Sequence, residues 1–401
     1  MNRRLVLTAL GIGQILAWGS SYYLPAVLAE PIVRDTQWPL AHVVGGLSLG
    51  LLVAALISPR VGVAIERCGG RHVLAMSAVA LGLGQIGLAI APNLYLHIAA
   101  WLVVGLGMGA GLYDAAFATL GRLYGREARA WITALTLFGG FASTVCWPLS
   151  ALLVSSFGWR GACLTYAAIQ FGFVLPLYLL ALPRGSPRES PRSHDDRVKI
   201  PRQATASLSA MLLLALTLTL AAALSATLSV HLLTILQAGG LAAAAAVGLG
   251  ALVGPCQVAA RMIEAAIARY HHPIWTKVAS ASLVACGISA LCAGLPVIPA
   301  LASYGAGIGL ESVARGTLPL ALFGASGYAT LMGRLAMPSL LAQAGAPWIG
   351  ALLLEGMGSK GMLGVLVAVA FLNVALALGL YWTAVRPHAG CCDEAGEVAS
   401  C

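Results

Sequence analysis

The chain has 401 residues, 59% of them hydrophobic and only 9% charged, with a formal net charge of +9 and a mean hydropathy of +0.88. No soluble domain needs so much apolar surface, and the apolar runs reach the ~20 residues that cross a bilayer as a helix. They are too long and continuous for the alternating strands of a membrane barrel. The basic residues punctuate these runs and form no single face, which argues against nucleic acid and for positive-inside bias.

The first span is predicted over residues 5–29. Arg3 and Arg4 before an apolar run imitate a signal peptide, but the run continues and more spans follow, so it reads as an uncleaved helix with a cytoplasmic amino terminus. Gln14, Trp18 and Tyr22 recur every four residues and share one stripe. That stripe either lines a substrate cavity or packs.

The second span covers 41–65 and the third 73–91, broken by Pro92–Asn93. Between them runs GVAIERCGGRH, Gly62 to His72. Gly62 permits close helix contact, Glu66 can pair with Arg67 or Arg71, and Gly69 with Gly70 supplies a tight turn. This stretch resembles the loop between helices 2 and 3 of the major facilitator superfamily, Gly-x-x-x-Asp-Arg-x-Gly-Arg-(Arg/Lys). Glu66 stands for the Asp, and Gly70 for the first of the paired basic residues.

The fourth span, 96–120, carries Gly105, Gly107, Gly109 and Gly111, then Asp114. A buried carboxylate there is either a proton carrier or a structural hydrogen-bond acceptor. The fifth span covers 131–155, FGWR makes an outer turn, and the sixth ends near 182. Residues 183–203, rich in proline, serine and charge, read as a cytoplasmic linker able to touch anionic lipid. Six further spans fall near 207–236, 241–268, 273–293, 298–318, 329–354 and 361–385. The expected plan is an amino-terminal half 1–183, a linker 184–206, a carboxy-terminal half 207–386 and a cytoplasmic tail 387–401. On this topology Arg34, Arg160 and Lys360 lie outside and Arg261 lies within a span. The remaining basic residues sit near or beyond cytoplasmic helix ends.

Gln257, Arg261 and Glu264 share a face of the eighth span. An arginine fork holds a carboxylate with two hydrogen bonds, unless Glu264 neutralises Arg261 in a structural pair. His231, beside Thr227 and Thr234, either titrates or is satisfied inside the seventh span. Glu311 and Arg315, at i and i+4 in the tenth span, read as an ion pair near a cytoplasmic gate. Cys391, Cys392 and Cys401 raise a trivalent metalloid as alternative cargo, since thiolates bind thiophilic ions. The other cysteines show no metal or disulfide spacing.

The resemblance extends over residues 5–386. FGWRGACLTYA resembles a Gly-Trp-Arg turn frequent in these transporters, and Arg315 to Ala336 resembles the junction of helices 10 and 11 in bacterial members. PCQVAARMIEAA resembles helix 8 of the monocarboxylate and oxalate–formate branch, where an Asp-x-x-x-Arg pair helps bind substrate and proton. Here Arg261 keeps the arginine and Gln257 replaces the acid. The eleventh span has no lysine, only Arg334 at its start, so dianion exchange is not implied.

The resemblance implies an all-α integral membrane protein of about twelve helices in two six-helix halves, working by alternating access. It implies a bacterial inner-membrane, monomeric secondary transporter with both termini cytoplasmic and no cofactor or metal. Its partners would be membrane lipid and a small solute such as a monocarboxylate, with a coupling proton. Gly62, Glu66, Arg67, Gly69 and Arg71 would form its gating motif. Arg261, Gln257, Gln14, Trp18, Tyr22 and His231 are substrate-binding candidates, and Asp114 and Glu264 proton-coupling candidates. The alternatives are efflux of arsenite or a related metalloid, and a non-transporting membrane sensor. No phosphate loop, nucleophile elbow or zinc helix points to an enzyme.

Overall fold

The computed structural model describes residues 3–184 and 208–384. The linker beyond Arg184 and the tail with its three cysteines lie outside the described residues. Among the described residues the chain is helical with no strands, and the helices group into twelve runs.

In chain order these are α1 (Arg3–Gly19, then Pro25–Thr36), α2 (Leu40–Cys68), α3 (Gly70–Ile90) and α4 (Leu94–Gly111, then Tyr113–Tyr124). Next come α5 (Ala128–Gly140, continuing from Ala142 to a turn at Gly158) and α6 (from that turn to Ala181). Then follow α7 (Leu208–Ala238), α8 (Ala243–Gly250, then Val253–Ile267), α9 (Pro273–Cys292) and α10 (Val297–Phe323). Last are α11, from Tyr328 to a turn at Gly358, and α12, from that turn to Ala384.

Two predicted spans are not continuous. α1 opens at Ser20–Leu24, and Pro25, which has no N–H to donate, restarts it. α4 opens at Leu112, which is extended (φ −77°, ψ −170°). α6 contains a wider turn at Gln170–Val174. The predicted break after α3 is present, with Asn93 accepting from the Leu96 N–H at 3.0 Å.

Two compact units result: Met1–Pro187 with Ala325–Gly345, and Arg188–Gly324 with Ala346–Cys401. The first has a core of Leu51, Leu81, Leu88, Trp101, Met108 and Tyr166, joined by Ala336 and Leu340 of α11. The second packs Leu228, Ile288, Leu301, Tyr304, Met362 and Leu366. The start of α11 joins the first unit because glycine meets glycine there. A Cβ on Gly62 would strike the Ala329 carbonyl and stand 3.0 Å from the Gly333 Cα.

The two units repeat one packing device that residue identity hides. In the first, the glycines of α4 touch backbone: a Cβ on Gly105 would lie 2.8 Å from the Gly50 Cα, and one on Gly107 2.9 Å from the Leu81 N. In the second, Gly305 faces the Val253 carbonyl at 2.8 Å and Gly307 the Val284 N at 2.8 Å. Ser77 Oγ donates to the Gly107 carbonyl at 3.0 Å, and Ser280 Oγ to Gly307 at 2.8 Å. The α5–α6 and α11–α12 turns also match, with Gly158 at φ 69°, ψ 174° and Gly358 at φ 70°, ψ 179°. Such backbone contact needs no side chain, which is how helices associate closely in lipid.

The Gly158 turn also fastens the end of α1. Trp159 Nε1 donates to Asp35 Oδ2 at 2.9 Å, and Arg160 pairs with the same oxygen. The Trp159 hydrogen bond, then Arg160, holds the Asp35 carboxyl below its usual range. A depressed carboxylate pKa stabilises the fold above the unfolded value of about 4, and that stabilisation is lost as pH falls through the lower folded value. Asp35→Asn is therefore expected to lower heat stability slightly between pH 5 and 8, with the difference vanishing in acid. A gap that persists in acid would reject this origin.

Candidate functional site

Polar side chains in membrane helices are costly and mark function or a buried network. The second unit holds such a network on α7 to α10. Arg261 is buried on α8. Its Nε donates to the Gly309 carbonyl at 3.3 Å and its Nη2 to Gln257 Oε1 at 3.3 Å. The contact with Gly309 exists because that glycine lets α8 ride on α10: a Cβ there would sit 2.9 Å from the Gln257 Cα. Glu264, also buried, accepts from Thr276 Oγ1 at 2.8 Å and lies 3.4 Å from His271 Nε2.

The charged pair at the centre of this unit is one that sequence reading missed. Lys277 of α9 has 0% exposure. Its Nζ lies 2.7 Å from both oxygens of Glu311 and donates to the Thr217 carbonyl at 3.3 Å. Ser280 Oγ adds a donor to Glu311 at 2.8 Å. Lys277 stands early in α9, near the helix start as expected; what the sequence did not show is that it is fully buried and that this lysine of the neighbouring helix grips Glu311. The physical reason is reach: α9 and α10 touch through Gly307, so the two side chains meet head-on. The signal in the sequence was an acid in a glycine-rich run, which demands a counter-ion. His231, on α7, donates from Nε2 to the Pro347 carbonyl at 2.8 Å and is packed against Gly350.

In the first unit, Gln14 Nε2 donates to the Gly111 carbonyl at 2.6 Å, and Trp18 Nε1 donates to Gln14 Oε1 at 3.2 Å. Trp18 and Tyr22 meet edge-on at 5.3 Å between centroids. Tyr22 falls in the break of α1, so the predicted stripe is part helix and part turn. Asp114 is half-buried in the first turn after the α4 break, where a carboxylate complements the helix dipole. It shares a small cavity with Ser58, Gly62, Gly109 and Gly333.

Within the motif, Glu66 Oε2 accepts from the Ala329 N–H at 3.2 Å, in the first turn of α11. First-turn N–H groups have no partner within a helix, so this carboxylate caps α11 and meets its positive end. Arg122 Nη2 reaches the Arg67 carbonyl at 3.5 Å, Gly69 turns the chain at φ 86°, and the Nε of Arg71 is buried without a hydrogen bond. Glu66→Ala is expected to cut transport severalfold at unchanged membrane abundance, measured by uptake normalised to surface protein. Equal rates would remove Glu66 from any gating role.

A family model described as Major Facilitator Superfamily matches residues 10–337. The chain belongs to this superfamily. It is thus a multi-pass membrane protein of a transporter family, as the motif at Gly62–Arg71 led us to expect. Human monocarboxylate transporter 11 is 33% identical over 195 residues, covering 45% of this chain and 38% of that protein. A multidrug resistance protein B homolog of Mycobacterium tuberculosis is 31% identical over 157 residues, covering 39% and 28%. Each match spans less than half the length of the relative. Among solved structures, the human organic anion transporter MFSD10 superposes with a TM-score of 0.71 at 16% identity, covering 94% of this chain and 100% of that one. The proton:xylose symporter XylE gives 0.70 at 13% identity, covering 94% of each chain. At these identities the structural likeness bears on the fold.

Proposed function

We propose that this facilitator is a secondary transporter of a small organic anion such as a monocarboxylate, moving it across a bacterial inner membrane by alternating access. The observation that carries the reading is the buried Arg261, whose guanidinium is oriented by Gln257 and the Gly309 carbonyl. An oriented guanidinium is a bidentate partner for a carboxylate. The partial likeness to a monocarboxylate transporter supports it. Asp114 and Glu264 are its proton-coupling candidates. Gln257 and His231 are further substrate-binding candidates in the second unit, Gln14, Trp18 and Tyr22 are candidates in the first, and the chain works as a monomer with both termini in the cytoplasm. Glu66, with Gly62, Arg67, Gly69 and Arg71, gates by capping and releasing α11.

The test is solute accumulation in everted membrane vesicles, offering labelled monocarboxylates and arsenite side by side. Carboxylate flux should fall at least tenfold in both Arg261→Ala and Arg261→Lys, because lysine keeps the charge and loses the fork. Flux retained in Arg261→Lys would reduce the site to a point charge. Arsenite accumulation that survives Arg261→Ala would replace the anion reading with metalloid efflux. No flux of any solute would favour the sensor.

A further inference from the structure

The first unit concentrates its irregular backbone in one place. α1 is open at Ser20–Leu24 and α4 at Leu112, and α6 carries its wide turn at Gln170–Val174. Three buried glutamines join them. Gln14 donates to the Gly111 carbonyl at the α4 break, Gln85 Nε2 donates to the Ser20 carbonyl, and Gln170 Nε2 donates to Ser20 Oγ at 2.9 Å. The Oε1 atoms of Gln85 and Gln170 are buried without a hydrogen-bond partner. Non-helical backbone at membrane depth is tolerated where protein buries it or where it lines a water-filled cavity. Discontinuous helices are where facilitators and other transporters place their cargo.

Around these openings stands a group of aromatic rings. Trp18 lies 5.3 Å from Tyr22, 5.9 Å from Tyr23 and 5.2 Å from Tyr113. Tyr113 stacks on Phe117 at 5.1 Å and 12° between planes. Tyr113 is the residue immediately after the α4 break, and Tyr22 and Tyr23 sit inside the α1 break, so the broken backbone itself delivers them. Phe117 is buried, whereas Trp18, Tyr22, Tyr23 and Tyr113 each keep part of their surface open. Partly exposed phenol-bearing rings, in a unit that also holds buried acceptors without a partner, are costly against acyl chains and suited to a wet cavity.

We infer that Trp18, Tyr22, Tyr23 and Tyr113 form a subsite for an aromatic ring, so that the cargo is an aryl-bearing organic anion. The inference deepens the organic-anion reading above and rests on it for the charge of the cargo. The ring preference rests on the first unit alone. The rings contact one another and each keeps part of its surface exposed, and that exposed aromatic surface favours a planar aryl group over a saturated ring of equal size.

The experiment is isothermal titration of the full chain in lipid nanodiscs with benzoate, cyclohexanecarboxylate and the uncharged benzamide, using wild type, Trp18→Leu and Tyr113→Leu. Two lost aromatic partners correspond to roughly a tenfold preference. Benzoate should bind about tenfold more tightly than cyclohexanecarboxylate in wild type, and the preference should collapse in whichever variants fold. Benzamide binding without carboxylate binding would leave the aromatic subsite standing and overturn the anion reading. Equal binding of the two carboxylates, or a preference untouched in a folded variant, would overturn the subsite and spare the anion reading. Binding of none of the three would overturn both.

Discussion

Replacing Lys277 by methionine is expected to remove a large share of the protein's stability. The change leaves the Glu311 carboxylate, held in wild type by Nζ at 2.7 Å from each oxygen, without its counter-ion inside the second unit. Breaking a buried pair by removing one partner costs about 3–5 kcal/mol, because the surviving charge stays desolvated. That is a large fraction of a net stability of about 5–15 kcal/mol. The Thr217 carbonyl also loses its Nζ donor. Detergent-extracted Lys277→Met should give a reduced monodisperse peak on size exclusion and aggregate at lower temperature than wild type. The double variant Lys277→Met with Glu311→Leu removes both charges and should recover much of the loss, since an apolar pair can replace a buried ion pair at little cost. Heat stability of Lys277→Met equal to that of wild type would show the pair to be dispensable.

Gly309→Leu is expected to abolish transport, whereas Gly364→Leu leaves it intact. At Gly309 a Cβ would collide with the Gln257 carbonyl and stand 2.9 Å from its Cα, whereas nothing lies within 4 Å of one at Gly364. Leucine at 309 therefore pushes α8 off α10 by more than a side-chain adjustment can absorb. Overpacking of this kind costs typically 1–3 kcal/mol, and here it displaces Gln257 and the carbonyl that orients Arg261. Uptake per folded molecule, with surface abundance measured alongside, separates the displaced site from simple loss of protein. Transport unchanged in Gly309→Leu would mean that the α8–α10 contact does not position Arg261.

The chain's amino-acid order determined by itself that this is a helical membrane protein of about twelve spans and that the Gly62–Arg71 stretch belongs to a facilitator. Both are local properties: a run of apolar residues is long enough to cross hydrocarbon whatever its neighbours do, and the motif is contiguous. The turn at FGWR was legible for the same reason, because only glycine adopts the φ of 69° at Gly158 without strain.

The breaks in α1 and α4 were not legible. Leu112 and Ser20–Leu24 are unexceptional in an apolar run, and what holds them open is donated from afar by Gln14, Gln85 and Gln170. The repeat between the units escaped notice because it is written in backbone contacts at Gly105 and Gly305, with different partner residues on each side. Lys277 looked like an ordinary cation near a helix end. Only tertiary packing decided that it is fully buried and that Glu311, 34 residues on, is its partner. A helix face can be read from its own periodicity, but which face meets which is set by the close approach of glycines across helices. That approach decides where the buried charges of this protein can afford to be.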